Sequence, residues 1–296
     1  MKTEALDPRY RDLEHWPTAL AVEAMLEGQM AAVAAVQSQI GAIANSAEAA
    51  ANRLGEHGRL VFVGAGTSGR LAVQDGTELY PTFGWPMERM VFLMAGGTGA
   101  LTEAQEGAED DAEAAAAEIA AARVGPADVV IGVAASGRTP YVLAAIEQAR
   151  AAGALTIGVA NNSNSALADL AEHAIVAVTG SEVVAGSTRM KAGTAQKVVL
   201  NLLSTATMLR RGLIYDGRMV AMRISNAKLL QRGRGMVQDI AEVDAAAAAA
   251  ALDAADNDIR LGVLTALGLS LAEARALLDA NQGDLRKAIE ALKGRE

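Results

Sequence analysis

The sequence predicts an α/β fold: a doubly wound parallel sheet of about five strands, followed by a small C-terminal three-helix bundle. Two observations carry this. Between residues 59 and 178, five short runs rich in β-branched residues alternate with helical patterns. Strands that are apolar throughout and separated by helices belong to a parallel sheet covered on both faces. From about residue 240 these runs stop, and only short helical patterns follow.

The elements follow in order. The opening MKTEALDPRYRDLEHWP is charged and carries no apolar signal core. Residues 17–54 are rich in alanine and leucine at helical spacing, which predicts one long helix or two. The strand runs are RLVFVGA (59–65), RMVFLMA (89–95), DVVIGVAA (128–135), ALTIGVAN (154–161) and HAIVAV (173–178). Helices are expected over 106–124 and 139–153, and a long one over 188–211 packs across the sheet. The alanine run DAAAAAAALDAAD (244–256) is bounded by aspartates and reads as a helix. Three short helices are expected after it. Ser270 and Glu273 have capping-box spacing, and NQGD marks the turn before the last helix. Three parts result: a helical segment (1–54), a sheet domain (55–240) and a small helical domain (241–296).

Composition narrows the function. Hydrophobic residues make up 51% of the chain and aromatics only 3%, so the core must be aliphatic. The formal charge is −9 with no basic cluster, which argues against nucleic acid as a partner. No uninterrupted apolar run reaches the roughly 20 residues of a membrane span, so no membrane partner is expected and the cytoplasm is the expected compartment. The absence of cysteine excludes disulfides and thiolate chemistry. His15, His57 and His173 share no ligand spacing, so no metal is expected.

The first strand runs into G-x-G-x-x-G at Gly64, Gly66 and Gly69, the spacing of a dinucleotide-binding turn. Such a site also needs an acid at the end of the second strand, and there the chain reads MAGGTGA. The loop has an echo instead: GTSGR (66–70) and AASGRTP (134–140) share Ser-Gly-Arg between a strand and a helix. Backbone N–H groups and the positive helix end favour an anion there. The candidate contacts are Gly66, Thr67, Ser68, Ser136, Gly137, Arg138 and Thr139. Two such loops on one sheet edge suit a small phosphorylated ligand. The plainer alternative is two tight turns, with glycine for φ > 0 and serine as helix cap. Paired hydroxyls are more than capping requires.

Five segments carry a family likeness: GAGTSGRLAVQDGTE, PTFG, EGAEDD, AASGRTPY and SEVVAGSTRMKAGTAQK. With them the chain resembles the sugar isomerase domain family, and within it the N-acetylmuramic acid 6-phosphate etherases. The likeness spans roughly residues 55–235, and the helical tail is also similar. Departures from the usual wording fall in GTELYP and at Ser181, where the family has proline. The resemblance implies a lyase-type etherase that acts in cell-wall sugar recycling. It removes D-lactate from the 3-position of N-acetylmuramic acid 6-phosphate by elimination and hydration, giving N-acetylglucosamine 6-phosphate. It also implies a homodimer and no cofactor. Glu78 is implied as proton donor and Glu109 as its partner in acid–base work.

Read from the residues alone, both glutamates keep alternatives. EGAEDD reads first as ordinary acidic charge at a helix start. Glu78 beside Leu79, Tyr80 and Phe83 reads equally as a desolvated acid of raised pKa or as a plain charge. Ser187, Arg189 and Lys191, just before a long helix, are candidates for the sugar hydroxyls or the lactyl carboxylate, with Arg70 and Arg138 further cations. For each cation a surface salt bridge is an equal alternative. Two other functions fit the same scaffold: an aldose–ketose phosphosugar isomerase, and a phosphosugar-binding regulator without catalysis.

Overall fold

A computed structural model describes residues 1–103 and 105–294. In chain order its regular elements are α1 (Thr18–Val36), α2 (Ile40–Leu54), β1 (Leu60–Gly64), α3 (Gly66–Thr77), α4 (Leu79–Phe83) and β2 (Met90–Met94). They continue with α5 (Ala112–Ala121), β3 (Val129–Val133), α6 (Pro140–Ala151), β4 (Leu155–Ala160), α7 (Ala166–Leu170), β5 (His173–Val176) and α8 (Lys191–Arg210). Five helices close the chain: α9 (Ala227–Ala241), α10 (Ala245–Ala254), α11 (Ile259–Ala266), α12 (Leu271–Ala280) and α13 (Leu285–Lys293). All five expected strand runs form strands.

The chain divides into two compact units, Met1–Gly76 with Glu88–Ala206, and Thr77–Met87 with Thr207–Glu296. The first holds the sheet, in the order β2-β1-β3-β4-β5, with every pair parallel. The central strands β1, β3 and β4 are buried along their whole length, which is why they carry no polar alternation. Side chains of successive strand residues point to opposite faces. Val61, Val63 and Val130 therefore share a core with Ile119 of α5 and Tyr141, Val142 and Ile146 of α6. On the other face Phe62 stacks on Phe92, with ring centroids 5.6 Å apart, and Gly76 of α3 lies against both rings. The strand starts are pinned by a buried Asp128. Its carboxylate accepts from the Arg59 amide at 3.0 Å, from Arg59 Nη2 at 2.7 Å and from the Gly125 amide at 3.0 Å.

Helix boundaries refine the expectations. The 17–54 segment is two helices, separated by a 3₁₀ turn at Gln37–Gln39. Taken together, Thr18–Leu54 is long and apolar enough to suit a membrane span, although Glu23 and Glu27 interrupt it. Over 106–124 only α5 is α-helical. Gly107 is left-handed at φ 71°, Ala108–Asp110 make a 3₁₀ turn, and the Asp111 side chain caps α5 by accepting from the Ala114 amide.

In the second unit, α9 to α13 surround one aliphatic core that includes Met236, Val237, Leu252, Ile259, Leu264, Leu277 and Ile289. A boundary at residue 240 would cut α9 from this core, so the helical unit starts earlier, at Thr207. It also takes in residues 77–87, where the Pro81 carbonyl accepts from the Arg223 amide at 3.1 Å. The three expected helices are α11, α12 and α13, and α9 and α10 complete their core. Ser270 and Glu273 form the expected capping box at the start of α12.

Candidate active site

β1 lies between β2 and β3, so the chain leaves it in opposite directions for its two neighbours. A sheet of this order opens a crevice at the carboxyl ends of those strands. Both Ser-Gly-Arg loops emerge there, one after β1 and the other after β3. Together they line a cleft of 450 Å³, with Gly66, Thr67 and Ser68 from the first and Ser136, Arg138 and Thr139 from the second. The helices α3 and α6 begin at these loops, which brings the positive ends of two helix dipoles to one place. Close packing of α3 on β1 explains two of the fingerprint glycines: a Cβ on Gly69 would stand 2.8 Å from the Gly64 carbonyl.

The second loop is held from behind. Gly137 is buried, has φ 66°, and would place a Cβ 2.1 Å from that of Ser165, so it shapes the turn and does not line the cleft. The Ser136 hydroxyl accepts from the Arg138 amide at 3.1 Å. Arg138 Nη2 donates to the Asn164 carbonyl at 3.3 Å, and no carboxylate pairs with Arg138 among the described residues. An arginine not engaged in an ion pair, beside convergent hydroxyls, can hold a phosphate.

Glu109 lines the same cleft. It sits in the 3₁₀ turn before α5 rather than in a helical first turn, and its side chain is exposed. Glu78 belongs to the other unit. It precedes α4, makes no capping hydrogen bond and is exposed. Leu79 and Phe83 turn into the core instead of covering it, so the desolvated surroundings considered for Glu78 are not found.

The segment before α8 is placed differently from expectation. Lys191 is buried: its Nζ donates to the Ser181 carbonyl at 2.7 Å, and burial pushes its pKa down. The buried carboxylate of Glu182 accepts from the Lys191 and Ala192 amides at 2.8 and 2.9 Å. The anion at this helix N-terminus is thus supplied by the chain itself. Arg189 is exposed and Ser187 half-buried, and neither lines the cleft, whereas Thr188 between them does.

Sequence reasoning missed Glu4, Asp110 and Thr188, which also line the cleft. Thr188 lies inside a segment already singled out. Glu4 carries no local signal, because its position depends on contacts about 160 residues away. Asn162 Oδ1 accepts from the Lys2 amide at 3.1 Å, and Asn162 Nδ2 donates to Thr3 Oγ1 at 3.1 Å and to the Ala135 carbonyl at 2.9 Å. Among the described residues, no group of three His, Asp or Glu side chains is placed to hold a metal ion.

Fold and cleft define the class as a sugar isomerase, or SIS, domain. The SIS domain model matches residues 108–206, and the glucokinase regulatory protein N-terminal SIS domain model matches residues 42–150. Curated relatives narrow the class. The chain is 46% identical over 289 residues to the N-acetylmuramic acid 6-phosphate etherase of Deinococcus radiodurans, covering 97% of this chain and 95% of that one. It is 44% identical to that of Streptomyces avermitilis, covering 98% and 94%. The chain belongs to the N-acetylmuramic acid 6-phosphate etherase family. Among solved structures, E. coli CFT073 c3406 in complex with A5P matches with a TM-score of 0.49 at 19% identity, covering 72% of this chain and 97% of that one.

Proposed function

We propose that the protein cleaves the D-lactyl ether of N-acetylmuramic acid 6-phosphate, giving N-acetylglucosamine 6-phosphate and D-lactate. The observation that carries this beyond family membership is the cleft itself: a carboxylate, Glu109, shares one 450 Å³ space with the hydroxyls of Ser68, Ser136 and Thr139 and with Arg138. Phosphate capture and proton transfer thus have their groups side by side.

An ether is a poor leaving group, so the chemistry runs through the open sugar. Its C1 aldehyde acidifies the C2 hydrogen. A carboxylate removes that proton, a C2–C3 double bond forms, and the C3–O bond breaks as an acid protonates the departing lactate oxygen. Water then adds, with its hydroxyl to C3 and a proton to C2. Glu109 and Glu78 are the proposed carboxyl pair, Glu78 on the family resemblance. No step needs a metal or a nucleotide. Incubation with N-acetylmuramic acid 6-phosphate and enzymatic assay of D-lactate tests the reaction; conversion of a phosphosugar without lactate release would assign an isomerase instead.

Ser136→Ala removes one hydroxyl from the cleft and leaves the Arg138 amide without its turn partner. Loss of a hydrogen bond to a charged group costs about 1.5–3 kcal/mol, so phosphosugar binding is expected to weaken on the order of ten- to a hundred-fold. Calorimetric titration with N-acetylglucosamine 6-phosphate checks this; wild-type affinity would remove the loop from the site.

The proposed assembly is a homodimer in the cytoplasm. Helix α1 buries Ala24, Gly28, Ala32 and Val36 on one side and exposes Val22, Leu26, Met30 and Val33 on another. Met30 is 65% exposed. Glu23 and Glu27 run beside that stripe, which suits a protein partner better than hydrocarbon. Sedimentation is expected to give a dimer for the wild type and a monomer for the Leu26→Lys/Met30→Lys double variant; an active wild-type monomer would contradict it.

A further inference from the structure

Beside the phosphate cleft lies a smaller cavity of 260 Å³. Ala65, Gly66 and Glu109 line both spaces, so Glu109 stands on their common wall. The cation of the smaller cavity is Arg70. Its Nε donates to the carbonyls of Ala100 and Leu101, both at 3.1 Å, which anchors the guanidinium on the 98–101 turn. Among the described residues its two terminal nitrogens donate to nothing, and no carboxylate pairs with it. Glu106 lines the same cavity but is exposed, where water and salt screen its charge.

An arginine held by its Nε on main-chain carbonyls, with its outer N–H groups turned to no described partner, is a preorganised carboxylate receptor. Among the described residues Arg138 in the larger cleft also lacks a carboxylate in ion-pair contact. Two adjoining cavities therefore each hold one arginine with no carboxylate in ion-pair contact among the described residues, and Glu109 stands on the wall between them. The proposed substrate has a matching charge pattern: a 6-phosphate at one end and the carboxylate of the 3-O-lactyl group at another. Its sugar product keeps only the phosphate.

We infer that the Arg70 cavity binds the carboxylate of the lactyl leaving group while the larger cleft holds the phosphate; this rests on the etherase reading above. Occupying both cavities brings the ether oxygen to the shared wall, beside Glu109. Arg70 thereby becomes the residue that distinguishes the lactyl sugar from its own product and from 3-ethers without an acid group.

The test uses ligands that cannot react. Borohydride reduction of N-acetylmuramic acid 6-phosphate and of N-acetylglucosamine 6-phosphate removes the C1 aldehyde, so neither alditol can undergo elimination. Wild-type protein is expected to bind the lactyl alditol tighter than the other on the order of ten-fold, the scale of a charge-assisted hydrogen-bond pair. Arg70→Gln is expected to erase that difference and leave binding of the lactyl-free alditol unchanged. Arg70→Lys, which keeps the charge but loses the fork, should retain part of the preference. Equal loss for both ligands would make Arg70 a support of the 98–101 turn and overturn the inference, as would an unchanged preference in Arg70→Gln. If wild-type protein releases no D-lactate from unreduced substrate, the etherase reading itself fails.

Discussion

Replacing Glu109 by glutamine is expected to lower kcat by about 10²–10⁴, the usual contribution of a positioned general acid–base group. The amide keeps the size of the carboxyl but neither takes nor gives the proton. Folding should not suffer, because Glu109 is exposed, lies in a short 3₁₀ turn and makes no side-chain hydrogen bond or ion pair among the described residues. Binding should also survive, since Ser68, Ser136, Arg138 and Thr139 are the proposed phosphate contacts and, among the described residues, none of them hydrogen-bonds to Glu109. The pattern to measure is a large fall in kcat with product affinity and thermal unfolding unchanged. A rise in KM with kcat unchanged would mean that Glu109 only shapes the cleft.

Glu78→Gln is expected to lower turnover by a similar factor, about 10²–10⁴, if it supplies the acid for the departing lactate. Folding should again be spared, because Glu78 is exposed and its side chain makes no capping hydrogen bond to α4, while its neighbours Leu79 and Phe83 are buried. Steady-state lactate release checks it, with Glu113→Gln on the exposed start of α5 as the control that should stay near wild type. Near-wild-type activity in Glu78→Gln would leave the acid role to another group.

The sheet was legible because its signal is local. RLVFVGA, DVVIGVAA and ALTIGVAN are apolar without alternation, and a strand buried on both faces has to be. The paired Ser-Gly-Arg loops were legible for a related reason: a strand–loop–helix unit fixes where its loop ends up, and parallel strands put both loops on one edge. What escaped was whatever depended on distant contacts. Lys191 looks like a substrate-facing cation at a helix start, yet the Glu182 carboxylate nine residues earlier occupies that helix end and the side chain turns inward to Ser181. The Met1–Glu4 segment has no motif, and contacts far along the chain, to the Asn162 side chain and the Gly186 amide, bring it to the cleft. The helical unit was misplaced at residue 240 because α9 resembles any amphipathic helix until its partners are known. Its Met236 and Val237 meet Leu252 and Ile259 only in the fold.

Elimination followed by hydration in the Glu109 cleft is the central proposal, and the C2 hydrogen of the sugar tests it directly. Turnover of N-acetylmuramic acid 6-phosphate in heavy water, followed by NMR of the sugar product, reports the fate of the hydrogen at C2. Elimination removes that hydrogen and hydration replaces it from solvent, so the product should carry deuterium at C2. A direct displacement at C3 would release the same lactate and leave the original hydrogen in place. Product with protium at C2 after full conversion would contradict the mechanism.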